Sequence, residues 1–354
     1  MRRKVLKITS GVPLVGSVAF GLIDRGTNVI QVRPVSSCPL SCIFCSTDAG
    51  PSSRTRQVEY VIDLRYLLAW FDRVLREKGS SGVEAHIDTV GDPFTYYGIV
   101  DLIRELRDMP EVHVISVQTH GPLLTEKLVG ELERVGLDRI NLSIDSLNEE
   151  KARYLTGSSW FKLRRVLEIA RRIAESSIDL LIAPVWVPGL NDEDIPQLIE
   201  YALKVGAGKR WPALGIQKYE AYRGGRRPKG VRPMSWGYFY RSLMKWEEEF
   251  GVKLILRPED FSIRKARRLS FPIRKGEVLN VKVIGEGWKV GETLAVARDR
   301  VLTVLDAPQL PPGSHVRVKV IRDKDNVLYA RFIGRGVRLP AQSRLCLMAQ
   351  CSSR

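Results

Sequence analysis

The hydrophobic pattern along this chain changes character once. Between residues 28 and 256, short β-branched runs alternate with longer stretches whose apolar positions recur every three or four residues. Residues 28–32, 83–89, 113–117, 139–144, 180–187 and 214–219 read as strands. Leu64, Leu67, Leu68, Phe71, Val74 and Leu75 share one helical face, as do Leu163, Val166, Leu167, Ala170 and Ile173. Alternation of this kind predicts a parallel sheet with right-handed crossovers, and in such sheets chemistry collects at the C-terminal ends of the strands. After Pro258 the helical pattern stops. Short β runs at 278–284, 293–297, 300–305, 316–321 and 327–333, separated by turns rich in Gly, Pro and Asp, predict a small barrel.

Composition sharpens this picture in two places. A length of 354 residues suits one large α/β domain and a small module. A formal net charge of +16 and a pI near 9.8 point to an anionic partner. Five cysteines do not make a secreted disulfide scaffold; a reducing, cytoplasmic setting is expected. The start, Met1-Arg2-Arg3-Lys4 followed by apolar residues to Ile23, superficially resembles a signal peptide. Ser10, Gly11, Pro13, Gly16 and Ser17 break the run, which is also too short to span a bilayer, so a strand-and-turn element and no membrane association are expected.

The candidate chemistry sits in Ser37-Cys38-Pro39-Leu40-Ser41-Cys42-Ile43-Phe44-Cys45, directly after the first strand of the alternating region. Three thiolates from one loop can hold a four-iron cluster and leave one iron without a protein ligand, open to a cofactor. Structural zinc asks for four closed ligands; the next cysteines, Cys346 and Cys351, are far along the chain, and no histidine lies near.

The spacing C-x3-C-x2-C, with Phe44 before the last thiol, resembles the radical S-adenosylmethionine (radical SAM) superfamily over residues 28–256. That resemblance implies an α/β fold with a partial (βα)6-type barrel, a [4Fe–4S] cluster on Cys38, Cys42 and Cys45, and S-adenosylmethionine on the open iron. A one-electron donor would reduce the cluster, and cleavage of the cofactor would yield a 5′-deoxyadenosyl radical. Cofactor contacts are implied at Phe44, at Gly91-Asp92-Pro93 (aspartate where the family usually carries glutamate), at Thr119, at Ser143 and Asp145, and at Asn191. Asn191 equally suits the N-cap of a following helix. His120 departs from the family's turn and reads either as a site-facing acid or base or as a structural residue.

The later strands, from Gly276-Glu277-Val278 to Arg331-Phe332-Ile333-Gly334, resemble a TRAM domain, an OB-like RNA-binding barrel. The expected organisation is a radical SAM domain at 1–258, a basic linker at 259–275, the TRAM-like β-barrel at 276–336 and a tail at 337–354. Lys218, Arg223, Arg226, Arg227, Arg264, Lys265, Arg267 and Arg268 are candidate RNA contacts, with Trp211, Tyr219 and Tyr222 interleaved as stacking surfaces. The combination implies RNA, above all transfer RNA, as substrate, with C–H methylation of a base as the first expectation. Sulfur insertion is disfavoured because the additional cluster domain of the methylthiotransferases does not precede the motif. Cys346 and Cys351 resemble, faintly, the methyl-carrying cysteines of the dual-cysteine RNA methylases. A protein or small-metabolite substrate, or a non-catalytic iron–sulfur RNA-binding sensor, are the alternatives.

Overall fold

The computed structural model describes residues 3–336. Strand β1 (Lys4–Ile8) pairs in parallel with β4 (Val58–Ile62), so the N-terminal residues join the main domain through a strand, as expected. Strands β2 (Gly21–Asp24) and β3 (Val29–Arg33) form an antiparallel pair at the sheet edge. Helix α1 (Leu64–Lys78) leads to β5 (Val83–Ile87), α2 (Ile99–Arg107) to β6 (Val112–Thr119), and α3 (Glu126–Arg134) to β7 (Arg139–Leu142). Two helices, α4 (Glu149–Thr156) and α5 (Leu163–Glu175), precede β8 (Asp179–Ile182) and the short β9 (Val185–Trp186). Helix α6 (Asp194–Val205) then leads to β10 (Gln217–Lys218), and α7 (Trp236–Phe250) follows.

The main sheet has the order β2-β3-β5-β6-β7-β8, parallel from β3 onward. A parallel bridge from Ile182 to Leu214 and the parallel pair β9–β10 carry the curve one strand further. The result is the parallel sheet that the alternation predicts, curved into the partial (βα)6 barrel that the resemblance implies. The expected single strand at 180–187 is split, because Pro184 has no N–H to give to a ladder.

Local chemistry explains the crossovers. Asp63 caps α1 by accepting from the amides of Arg65 and Tyr66, and Gly79 ends it in the left-handed region. The outward strand faces are apolar and meet the helices: Ala85, Ile87, Ile115, Val117, Ile140 and Leu142 are fully buried. Their alternating neighbours, Glu84, His86, Ser116, Gln118, Arg139 and Asn141, fall on the opposite, inner face. That face holds a polar network: Arg33 and Gln31 donate to Asp88, and Arg139 donates to Glu84 at 2.6 Å. At the N-terminal ends of the strands, Trp211 and Phe261 lie against the Arg139 guanidinium at 4.8 and 5.0 Å.

Beyond residue 276, β11 (Val278–Glu286), β12 (Glu292–Ala297), β13 (Arg300–Leu305), β14 (His315–Arg322) and β15 (Tyr329–Arg335) close into a five-stranded barrel of order β11-β12-β13-β15-β14. The β13–β15 pairing is parallel and the others are antiparallel. Leu279, Val281, Val283, Leu302, Val304, Val316, Val318 and Val320 fill it. The basic stretch at 259–275 is pinned to the main domain. Asn28 accepts from the Arg264 amide and donates to the Ser262 carbonyl, Lys265 bridges to Thr27, and the Leu269 amide donates to Asp24. No helix among the described residues is long and apolar enough to cross a membrane.

Candidate active site

The cysteine loop leaves the C-terminal end of β3 and is braced from three sides. The amides of Ser41 and Ile43 donate to the carbonyls of Thr156 and Leu155, at the end of α4. Gly157 follows at φ +57°, where a Cβ would stand 2.2 Å from the Ser41 carbonyl oxygen, so glycine permits that close approach. Beneath the loop lies Arg56, whose side chain is fully buried. It donates to the carbonyls of Ser36 (2.7 Å), Thr47 (3.1 Å) and Val90, and pairs with Glu59 at 3.3 Å. From the outside, the Arg226 guanidinium donates to the carbonyls of Cys42 (3.0 Å) and Ala49 and pairs with Asp48 at 2.9 Å, while its amide donates to the Cys45 carbonyl.

The three thiols are free. Burial, with Asp92 nearby, pushes the Cys38 thiol up to about 12. Burial and the neighbouring Cys38 push Cys42 well up too. Thiolates here need a cation beside them, and bound iron provides it. Among the described residues no group of three His, Cys, Asp or Glu is arranged to hold a metal ion. That is no conflict with a cubane, which takes its cysteines one per iron rather than around a common point.

The predicted cofactor residues converge around this loop, but several side chains are already engaged. At Gly91 a Cβ would stand 2.0 Å from the Ser37 carbonyl oxygen, and the Asp92 amide donates to that same oxygen, so the Gly91-Asp92-Pro93 turn is locked to the cysteine loop. The Asp92 carboxylate accepts from the Phe94 amide at 3.0 Å and from the Thr119 hydroxyl at 2.8 Å. Burial raises its pKa against those bonds. The shorter side chain folds back on its own turn and on Thr119, so the two brace each other. Asn191 is fully buried; its amide donates to the carbonyls of Asp145 and Val185, and its oxygen accepts from Val187. The N-cap reading is corrected: α6 is flanked by Glu193, without a side-chain cap bond, and Asn191 staples the 185–191 turn to β7's end. Phe44 is buried against the core. Ser143 accepts from the Gln118 amide at 2.7 Å.

Asp145 differs from the rest. Its Oδ1 accepts from the Val185 amide at 2.8 Å, but its buried Oδ2 has no hydrogen-bond partner and lies 3.8 Å from His120 Nδ1. Burial raises its pKa, His120 opposing. A buried acceptor without a donor fits the amino or hydroxyl groups of S-adenosylmethionine. His120 also reaches the cluster loop, with Nε2 3.8 Å from Cys42 Sγ and Nδ1 3.1 Å from the Ser143 carbonyl. It therefore touches both cysteine and cofactor-facing groups.

The basic residues divide. Arg223 and Arg227 are exposed beside the loop, and Arg227 joins Arg54 and Lys229 in lining a groove of about 650 Å³ that also touches Ser41, Ile43 and Tyr154. Arg226 is consumed by the cysteine loop. Lys218 is 3% exposed, bonded to Glu220 at 2.5 Å and set against the Trp236 ring. Arg264, Lys265, Arg267 and Arg268 are exposed at the N-terminal ends of the strands, opposite the cysteine loop; Arg264 donates there to the Ser81 carbonyl. Strand direction sends 264–268 to the far end of the sheet, away from Arg223 and Arg227. Cys346 and Cys351 lie outside the described residues.

The small barrel meets the same region through its β11–β12 turn. Gln57 donates to the carbonyls of Gly287 and Lys289, Arg56 lies 4.5 Å from the Trp288 ring, and Lys289 donates to the Gly224 carbonyl. Sequence reading had no means to find Arg56, Trp288 or Lys289 as neighbours of the cysteines, since each comes from a distant segment.

Such a site, three cysteines after the first strand of a partial (βα)6 barrel, defines a radical SAM fold. A family model described as "Radical SAM superfamily" matches residues 32–202. The chain belongs to that superfamily, which binds a [4Fe–4S] cluster and S-adenosylmethionine. It is 41% identical over 352 residues to an uncharacterized protein of Methanocaldococcus jannaschii, covering 94% of this chain and 81% of that one. It is 31% identical over 188 residues to GTP 3′,8-cyclase of Peptoclostridium acidaminophilum, covering 52% of this chain and 54% of the cyclase. Among solved structures, Streptococcus suis SuiB bound to S-adenosylmethionine aligns with a TM-score of 0.49 and 17% identity, over 64% of this chain and 48% of SuiB.

Proposed function

We propose that this radical SAM enzyme modifies RNA, with a transfer-RNA base as target and C–H methylation as the outcome to test first. One observation carries the reading: the cationic groove of Arg54, Arg227 and Lys229 abuts the cysteine loop itself, through Ser41 and Ile43. Cations at that place can hold phosphates while the reacting base is presented to the site. Tyr154 and Tyr222, 57% and 55% exposed, offer rings on which unpaired bases stack. The five-stranded barrel at 278–335, which packs beside the loop through Lys289, acts in this reading as an OB-like, TRAM-type RNA module. When bound, the reduced cluster and S-adenosylmethionine supply a 5′-deoxyadenosyl radical able to take hydrogen from an unactivated C–H bond. The chain's own residues hold the cysteine loop (Arg56, Arg226, Gly157), offer an acceptor to the cofactor (Asp145) and enclose the reacting group in the half-barrel. The partners required are the RNA and a one-electron donor protein, in the reducing cytoplasm.

A second reading, a free purine nucleotide as substrate, draws support from the similarity to GTP 3′,8-cyclase. One anaerobic experiment separates them. The protein is reconstituted with iron and sulfide, then given dithionite, S-adenosylmethionine and either unmodified tRNA or GTP. Mass spectrometry of digested RNA and of small molecules is expected to show a shifted nucleoside and 5′-deoxyadenosine with tRNA, both absent in Cys42→Ala. A product from GTP alone would replace the RNA reading with the nucleotide one.

A further inference from the structure

The inner face of the half-barrel contains a relay that neither the cluster nor the cofactor residues account for. Arg139 donates to Glu84 Oε1 at 2.6 Å, and the Ser116 hydroxyl donates to that same oxygen at 2.6 Å. With its proton committed to a carboxylate, the Ser116 oxygen has only lone pairs to offer His86, whose Nδ1 lies 2.7 Å away. Nδ1 therefore carries the imidazole proton, and Nε2 is left as a bare acceptor. Among the described residues Nε2 has no protein partner, and it is not among the buried unpartnered atoms, so it opens into the barrel. Ala85 and Ile87 on either side are fully buried under the helices, which fixes the direction of His86 toward the inside.

The surroundings suit a hydrogen-bonding guest. Asp88, Gln31 and Arg33 line the inner face on one side of His86, and Gln118, Asn141 and Ser143 on the other. Burial lowers the His86 pKa; Asp88 and Glu84 oppose this, and Arg139 and Arg33 reinforce it. The ring thus stays neutral and keeps its lone pair near neutral pH. At the strands' N-terminal ends Trp211 and Phe261 pack on Arg139, beside a cavity of about 510 Å³ that reaches Glu84, while the cofactor-facing Asp145 and His120 stand at the opposite, cysteine end.

We infer that His86, held as its Nδ1–H tautomer by Ser116 and Glu84, accepts a hydrogen bond at Nε2 from an N–H or O–H of the substrate lodged in the half-barrel. Resting on the RNA reading, that group is the N–H edge of a base turned out of its helix. The contact involves no proton transfer, only a lone pair whose position is set before the substrate arrives.

The test uses full-length protein labelled with ¹⁵N-histidine, which carries four histidines. His86→Gln assigns the signal. The expected spectrum has Nδ1 protonated and Nε2 bare between about pH 8 and about pH 6.5, around the ordinary histidine value. Ser116→Ala is expected to release the ring to the Nε2–H form, and Ser116→Thr to preserve the original. On adding unmodified tRNA, and separately GTP, in the presence of S-adenosylmethionine, the Nε2 signal moves with the probe that is the substrate. Ser116→Ala then raises the KM for that probe about tenfold, the cost of one hydrogen bond. A proton found on Nε2 in the unaltered protein, or an Nε2 signal indifferent to both probes, overturns the inference. A response to GTP but not tRNA keeps the His86 contact and removes the RNA reading.

Discussion

At the scale of single residues, two arginines decide whether the cysteine loop keeps its shape. Arg56 is enclosed, with Glu59 as its ionic partner and three loop carbonyls as acceptors. Replacing it with methionine leaves Glu59 to Arg3 and the Ser36 hydroxyl and takes the donor from three buried carbonyls, at a cost of about 1–3 kcal/mol for each group left unsatisfied; urea unfolding under anaerobic conditions measures the loss, and iron bound per chain is expected to fall with it. Arg227 and Lys229 are exposed cations of a different kind. Alanine at each is expected to reduce the slope of log affinity for tRNA against log salt by about one, whereas Lys218→Ala, already paired inside the protein, leaves the slope unchanged. His86 adds a pH effect with a defined sign. Its folded pKa lies below the unfolded value, so the unfolded chain binds the extra proton as pH falls below about 6.5, and stability drops by up to about 1.4 kcal/mol per pH unit until the folded pKa is reached. The decline should be absent from His86→Gln in matched thermal scans. Of these residues only the basic ones were visible in sequence, and only as charge. Whether an arginine meets phosphate or a carbonyl of its own chain depends on which segment folds over it.

At the scale of elements, turns between strands and helices do the positioning. Gly91 and Gly157 are there because the cysteine loop passes within 2.0 and 2.2 Å of where a Cβ would stand. Gly91→Ala has no flexible neighbour to displace, only the Ser36 and Ser37 backbone, so it is expected to move the loop and reduce cluster loading, read as the visible absorbance per chain after reconstitution. Strand existence was legible from apolar runs, and so was helix α1 from its periodic face. The polar alternates of β5, β6 and β7 were also in plain view as Glu84-Ala85-His86-Ile87 and Ser116-Val117-Gln118. Their meaning was hidden until the sheet curved, because a flat sheet would turn them to solvent and a half-barrel turns them toward a substrate.

At the scale of the whole molecule, the two barrels share a core boundary. Trp288, Leu294 and Val301 of the small barrel pack into the main domain's apolar cluster, and the Leu328 amide donates to the Gly16 carbonyl. Trp288→Ala removes a buried ring set against Arg56, and is expected to cost about 3–5 kcal/mol and to lower cluster occupancy, although it lies some 250 residues from the cysteines in sequence. By itself the sequence determined the cysteine triplet, the strand–helix alternation and the change of texture after Pro258, because each is written in local spacing; the cofactors followed from the family that the triplet resembles. Tertiary structure alone decided that Arg226 and Arg56 serve the cysteine loop, that Asp92 accepts from the Thr119 hydroxyl and the Phe94 amide, that Asn191 bonds neighbouring backbone, that the 264–268 cations lie at the far end of the strands, and that His86 faces inward with a bare nitrogen. Those roles depend on contacts between segments tens to hundreds of residues apart, and spacing along one segment carries no record of what another will bring to it.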